Sequence, residues 1–195
     1  MKKLFLSLMA LAALAVGCQQ DNPGLDYDGK DSVPYTISVA VPELAATRVN
    51  ETDMNSGLGA IDNFSENEWA EYDLRYILEV YDVDRSLDEP IKAREIKTVE
   101  EYSEVTFETR LIPNRNYRFV VWADFVLNGT QDDLHYNTGE YLTAITRNEV
   151  VAMHECQDAY FIQEDVRIDG TGISKSLELK RPFGKIRVIT TDYNE

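Results

Sequence analysis

Alternation with a period of two is the feature that most narrows the folds open to this chain. Tyr35, Ile37, Val39 and Val41 interleave with Thr36, Ser38 and Ala40, and Pro42 ends the run. That spacing puts the apolar set on one face of a strand and the small polar set on the other. Leu74, Tyr76, Leu78 and Val80 repeat the pattern against Arg75, Glu79 and Tyr81, which the spacing turns outward. Val105, Phe107, Thr109 and Leu111 do so against Thr106, Glu108 and Arg110, before the turn signal Pro113-Asn114. From Asn116 to Val126 both faces are apolar, as expected of a central strand covered on two sides. Trp122 is expected in the core beside Phe119.

Weaker strands are predicted over Ile91–Lys97, at Tyr141-Leu142 with Ala144-Ile145, and over Asp158–Ile162 and Asp165–Ile168 with an acidic turn between the last two. Leu177 and Leu179 alternate with Glu178 and Lys180, and the pattern resumes at Ile186 and Val188. Pro182 between them cannot donate to a ladder, so it marks an edge or the switch between two strands. Glu43 to Trp69 reads as a long excursion with a short strand near Ala60-Ile61. No segment carries the apolar stripe of a long helix. Strands punctuated by turns about every ten residues predict an antiparallel β-sandwich, one domain over residues 33–195.

The N-terminus has a different logic. Met1-Lys2-Lys3 is followed by Leu4–Val16, in which only Ser7 is polar. That run is shorter than the roughly twenty apolar residues needed to span a bilayer, and it has the shape of a secretory signal. Leu14-Ala15-Val16-Gly17-Cys18 resembles the bacterial lipobox, which implies cleavage after residue 17 and lipid on the Cys18 sulfur. Only a thiol can form that thioether, and small neighbours let the peptidase approach. Residues 1–17 are therefore read as a lipoprotein signal peptide and 18–32, rich in Asp, Asn and Gly, as a flexible tether. The expected location is the outer membrane, lipid-anchored and facing the exterior. Asp31-Ser32-Val33 resembles a short pattern at which exported proteins of such bacteria are O-glycosylated, which makes Ser32 a candidate.

The chain holds 19 basic and 35 acidic residues, net −16, and losing the leader removes two of the cations. A balance this acidic argues against nucleic acid, whose phosphates need clustered Lys and Arg. With Cys18 consumed by lipid, Cys156 is left without a disulfide partner, and burial near Ala159-Tyr160-Phe161-Ile162 is expected.

Three segments in order carry a family resemblance: Leu74–Tyr81, Tyr117–Phe125 and Leu179–Val188. Together with the lipobox they resemble the N-terminal domain of fimbrillin-like surface lipoproteins of Bacteroides and its relatives. The resemblance implies a transthyretin-like Greek-key sandwich, surface display, and a structural role in fimbriae or adhesion without enzymatic activity or cofactors. In the pilins an arginine-specific protease cuts after the first strand and a neighbouring subunit donates a replacement. Arg48-Val49 stands in the matching place here. Other fimbrial subunits, and surface glycans or proteins, are the partners implied. Such pilins continue into a second half that carries the donor strand, whereas this chain ends at Asp192-Tyr193-Asn194-Glu195 directly after a strand. A short gene, a fragment, and a cap, anchor or non-polymerising relative are all open.

His154-Glu155-Cys156 matches no zinc spacing, and Asp132-Asp133 lacks the closing acid of a calcium loop. There is no Gly-x-Ser-x-Gly elbow, no phosphate-cradling glycine loop and no supported carboxylate pair. Trp69, Trp122 and the tyrosines leave a glycan-stacking surface as an alternative function.

Overall fold

The computed structural model describes residues 25–41, 70–148, 155–170 and 174–182. It is all-β: nine strands and one three-residue 3₁₀ turn (Glu155–Gln157) among the described residues. In chain order the strands are β1 (Val33–Ala40), β2 (Tyr72–Asp82), β3 (Glu95–Val99), β4 (Val105–Leu111), β5 (Asn116–Leu127), β6 (Tyr136–Asn137), β7 (Thr146–Arg147), β8 (Ala159–Arg167) and β9 (Ser174–Glu178).

Two sheets carry the structure. One has the order β4-β1-β9 and the other β3-β2-β5-β8, while β6 and β7 form a separate two-residue hairpin. Every pairing is antiparallel except β1 with β9, which is parallel. The inner faces meet across one apolar cluster in which Ile37, Val39, Phe107, Leu74, Phe119 and Val121 have no exposed surface. Tyr35 of β1 stacks on Phe119 of β5, ring centroids 5.7 Å apart. The alternations in β1, β2 and β4 are thus the inward faces of the two sheets, and β5 lies inside its sheet between β2 and β8.

Strand registers define two ends. At one lie the start of β1, the loop 83–94, the turn 112–115 and the exit from β8; at the other lie the end of β1, the loop 100–104 and the segment after Leu127. At the first end the chain turns between the sheets, and the Tyr117 hydroxyl donates to the Ile112 carbonyl (3.1 Å) and accepts from the Ile112 amide (2.9 Å). Asn114 takes φ 61° in that turn, a conformation asparagine tolerates better than most residues.

Several expectations need correction. Tyr27 is 8% exposed and its hydroxyl donates to Asp82 (2.6 Å), so the tether expected over 18–32 is docked on the body from Leu25 onward. Ile91 is not in a strand; its amide bonds the Val80 carbonyl, and β3 begins at Glu95. No strand forms at 141–145, where the chain makes bends and turns. The two strands expected over 158–168 are one, β8, which runs straight through Gln163-Glu164-Asp165. The acids do not break it because Glu164 pairs with Lys175 and Asp165 with Arg118. Just before Pro182 the chain passes between the sheets: the Leu179 amide bonds Ala40 beside one, and Lys180 bridges to Phe161 of the other, while the strand expected after Pro182 lies outside the described residues. The excursion 43–69, with its short strand at 60–61, lies outside the described residues, as do Ile186 and Val188.

Candidate functional site

The strand β1 is the centre of its sheet. It pairs with β4 over seven residue pairs, Val33↔Leu111 to Val39↔Val105, and with β9 over five, Thr36↔Ser174 to Ala40↔Glu178. β4 and β9 are not neighbours, so among the described residues the sheet is joined only through β1. Its inward residues Tyr35, Ile37, Val39 and Val41 are 3%, 0%, 0% and 6% exposed. Its outward residues are small, and Ser38 faces Thr106 at 3.5 Å between hydroxyls. The sequence gives the strand and its buried face; its neighbours, about 70 and 140 residues further on, came only from the structure.

The candidate residues are distributed unevenly around this strand. Cys18, Arg48 and Val49 lie outside the described residues. Ser32, one residue before β1, is 4% exposed. Its hydroxyl donates to the Gly29 carbonyl (2.8 Å) and accepts from Arg110 Nε (2.9 Å), so a sugar there would displace both bonds in the folded body.

A second feature was not anticipated. Arg75, Glu79 and Tyr81 do point away from the main core, but that face is covered and they are 1%, 1% and 2% exposed. The segment from Asn128 to Asn148, with the β6–β7 hairpin, is laid over it, and Ile77, Tyr81, Val120, Trp122, Tyr136, Leu142 and Ala159 form a second cluster there. Trp122 belongs to this cluster, edge-on to Tyr136 at 5.1 Å, and not beside Phe119. Residues 119 and 122 differ by an odd number in one strand, so they must face opposite sides.

Ion pairs fix the covering segment. Arg75 donates through Nε and Nη2 to both oxygens of its cross-strand partner Asp124 (2.8 and 2.7 Å), and through Nη1 to the Gln131 carbonyl (2.7 Å) and Asp133 (2.9 Å). Glu79 accepts from Arg94 (2.8 and 3.0 Å), Tyr81 (2.6 Å) and the Leu142 amide (2.8 Å). Arg94 reaches on to Thr138 Oγ1 at 3.0 Å. Burial works against the Arg75 charge, but the bonds to Asp124 and Asp133 outweigh it and the guanidinium sits above its ordinary value. Burial pushes the Asp124 carboxyl up while Arg75 pulls it back. The sequence did hold a signal for this arrangement. A strand apolar on both faces needs cover on both, and Trp122, Val120 and Val126 required a second layer.

Other candidate residues are engaged in contacts of their own. Asp133 is engaged by Arg75 and by the Thr138 amide and hydroxyl. Cys156 is buried as expected, 3.3 Å from Nε2 of His135, while His154 lies outside the described residues. No group of three or more His, Cys, Asp or Glu is arranged to hold a metal among the described residues. Trp122 is 5% exposed and cannot stack on a sugar; Trp69 is not among the described residues.

Tyrosine burial gives the body a sharp alkaline limit. Burial raises Tyr76 and Tyr136 to about 12 and also raises Tyr27, Tyr35, Tyr81, Tyr102, Tyr117 and Tyr160, with Glu79 adding to it at Tyr81. Because the folded state holds these protons more tightly than the unfolded chain, the stabilisation is complete below about pH 10 and is lost as pH rises through the folded values. Tyrosinate absorbance should therefore stay small near pH 10 and then rise steeply, together with loss of near-UV circular dichroism. A gradual titration of most tyrosines near pH 10 in a protein that stays folded would contradict this.

The class these features define is an all-β protein of two facing sheets, with a central N-terminal strand and an ion-paired cover on one outer face. The chain belongs to a family of unknown function, DUF6562, which matches residues 28–195. No curated protein and no solved structure matches it.

Proposed function

We propose that the chain is a lipid-anchored, fimbrillin-like cell-surface protein of transthyretin-like, Greek-key sandwich fold. It acts as a fimbrial or adhesive structural component, and its work is contact, not turnover. The central place of β1 carries this reading. The first strand is the one whose exchange would join subunits, and among the described residues it is the only link between β4 and β9. The Tyr117–Ile112 bonds support the fold, since a tyrosine hydroxyl reaching back a few residues at a corner between sheets is a hallmark of Greek-key sandwiches.

Magnitudes limit the mechanism. Burying the four inward side chains of β1 at about 1.5–3 kcal/mol each contributes roughly 6–12 kcal/mol. That is comparable to the ~5–15 kcal/mol that holds a whole domain together. Cleavage at Arg48 therefore does not expel β1 by itself; a strand with equivalent pairings must replace it. Treating the exported protein with an arginine-specific protease should give a discrete cut after Arg48, followed by oligomers. A monomer that remains uncut, or is cut without ever associating, would overturn the strand-exchange reading. Palmitate labelling that persists in a Cys18→Ala variant would overturn the anchor.

A further inference from the structure

We infer that the folded body stands on the bilayer with its Tyr27 end inward, so that the end carrying the loop 100–104 and the segment 128–132 faces away from the membrane. The inference rests on the lipid-anchor reading of Cys18 and adds a direction to it.

The first observation is where the chain becomes fixed. Tyr27 is buried, bonded to Asp82 at the end of β2, and 6.4 Å edge-on from Tyr117 at the start of β5. Lys92 holds Asp28 (2.8 Å), and Arg110 holds the Ser32 hydroxyl (2.9 Å) and carbonyl (2.6 Å). All of these contacts lie at one end of the sheets, so any pull from the N-terminus is applied there.

The second observation is a length. Tyr27 is nine residue steps from Cys18, a length of chain that reaches at most about 30–32 Å. From Tyr117, beside Tyr27, β5 runs ten residues on to Leu127, about 33 Å at strand spacing. Residues 128–132 continue from there at the far end. Inverting the body would put that far end on the bilayer and Tyr27 at or beyond full extension of the tether. The upright pose makes no such demand on the length of chain between Cys18 and Tyr27, and it is the one favoured.

The outward end exposes Glu71, Glu100, Glu101, Glu104 and Asp132, together with Leu127, which is 50% exposed.

The test uses the full lipidated protein in vesicles carrying an acceptor lipid, with a donor dye on Asp169→Cys (inward end) or Glu101→Cys (outward end). Cys156 is buried and is not expected to take the dye. Transfer from residue 169 should exceed that from residue 101 at least twofold. Equal transfer, or stronger transfer from 101, overturns the orientation. Failure of the unlabelled protein to float with vesicles, or flotation that survives Cys18→Ser, overturns the anchor instead and the orientation with it.

Discussion

Asp124→Ala should destabilise the protein by about 3–5 kcal/mol, the cost of leaving a buried guanidinium without its main partner. Arg75 and Asp124 face each other across β2 and β5, with side chains 2% and 0% exposed, so water cannot take the place of the lost carboxylate. Asp133, 31% exposed, would remain as a weaker counter-charge, and Asp133→Ala alone should cost less, about 1–3 kcal/mol. The double variant Arg75→Met/Asp124→Leu should recover most of the loss, because removing both charges also removes their desolvation cost. Urea titrations followed by Trp122, which packs under the same cover, would read all four proteins. A loss below about 1 kcal/mol for Asp124→Ala would mean that this pair does not hold the covering segment.

Removing residues 33–41 should abolish folding altogether. The loss of roughly 6–12 kcal/mol of apolar burial is as large as the whole stability of a typical domain. It also removes the only neighbour that β4 and β9 have in their sheet among the described residues. A peptide spanning 33–41 added in trans should restore near-UV circular dichroism, because the slot selects an extended strand with an aromatic residue opposite Phe119 and β-branched residues after it. A truncated chain that folds unaided would show that sheet to be dispensable.

How legible this was depends on which force was acting. Burial on one face writes a period of two into the sequence, so β1, β2, β4 and β5 could be read directly. Pairing leaves no such mark: nothing in Tyr35–Val41 reveals that Ser174–Glu178 lies beside it, or that the pairing is parallel. Acidic residues misled at Gln163–Asp165, because salt bridges across strands cancel the charges that suggest a turn. Arg75 and Glu79 misled in the opposite direction. Charged side chains on an alternating strand normally face water, and only the partners Asp124 and Arg94, supplied by other strands and loops, allow them to be buried. The covering segment is irregular and has no period to read, although the two-sided apolarity of β5 required that something lie there. The docking of Tyr27 was hidden for a simpler reason: one aromatic residue among Asp and Gly reads as a linker until its hydroxyl is seen on Asp82.

Amide hydrogen exchange, resolved strand by strand on the full exported chain, goes straight to the central claim that β1 is integral to the body and held as firmly as its middle strands. Ile37 and Val39 should exchange only with global unfolding, in the same slowest class as Ile77 of β2 and Val121 of β5. Exchange of the β1 amides within minutes while β2 and β5 stay protected would contradict it, and would make the first strand a loosely docked arm.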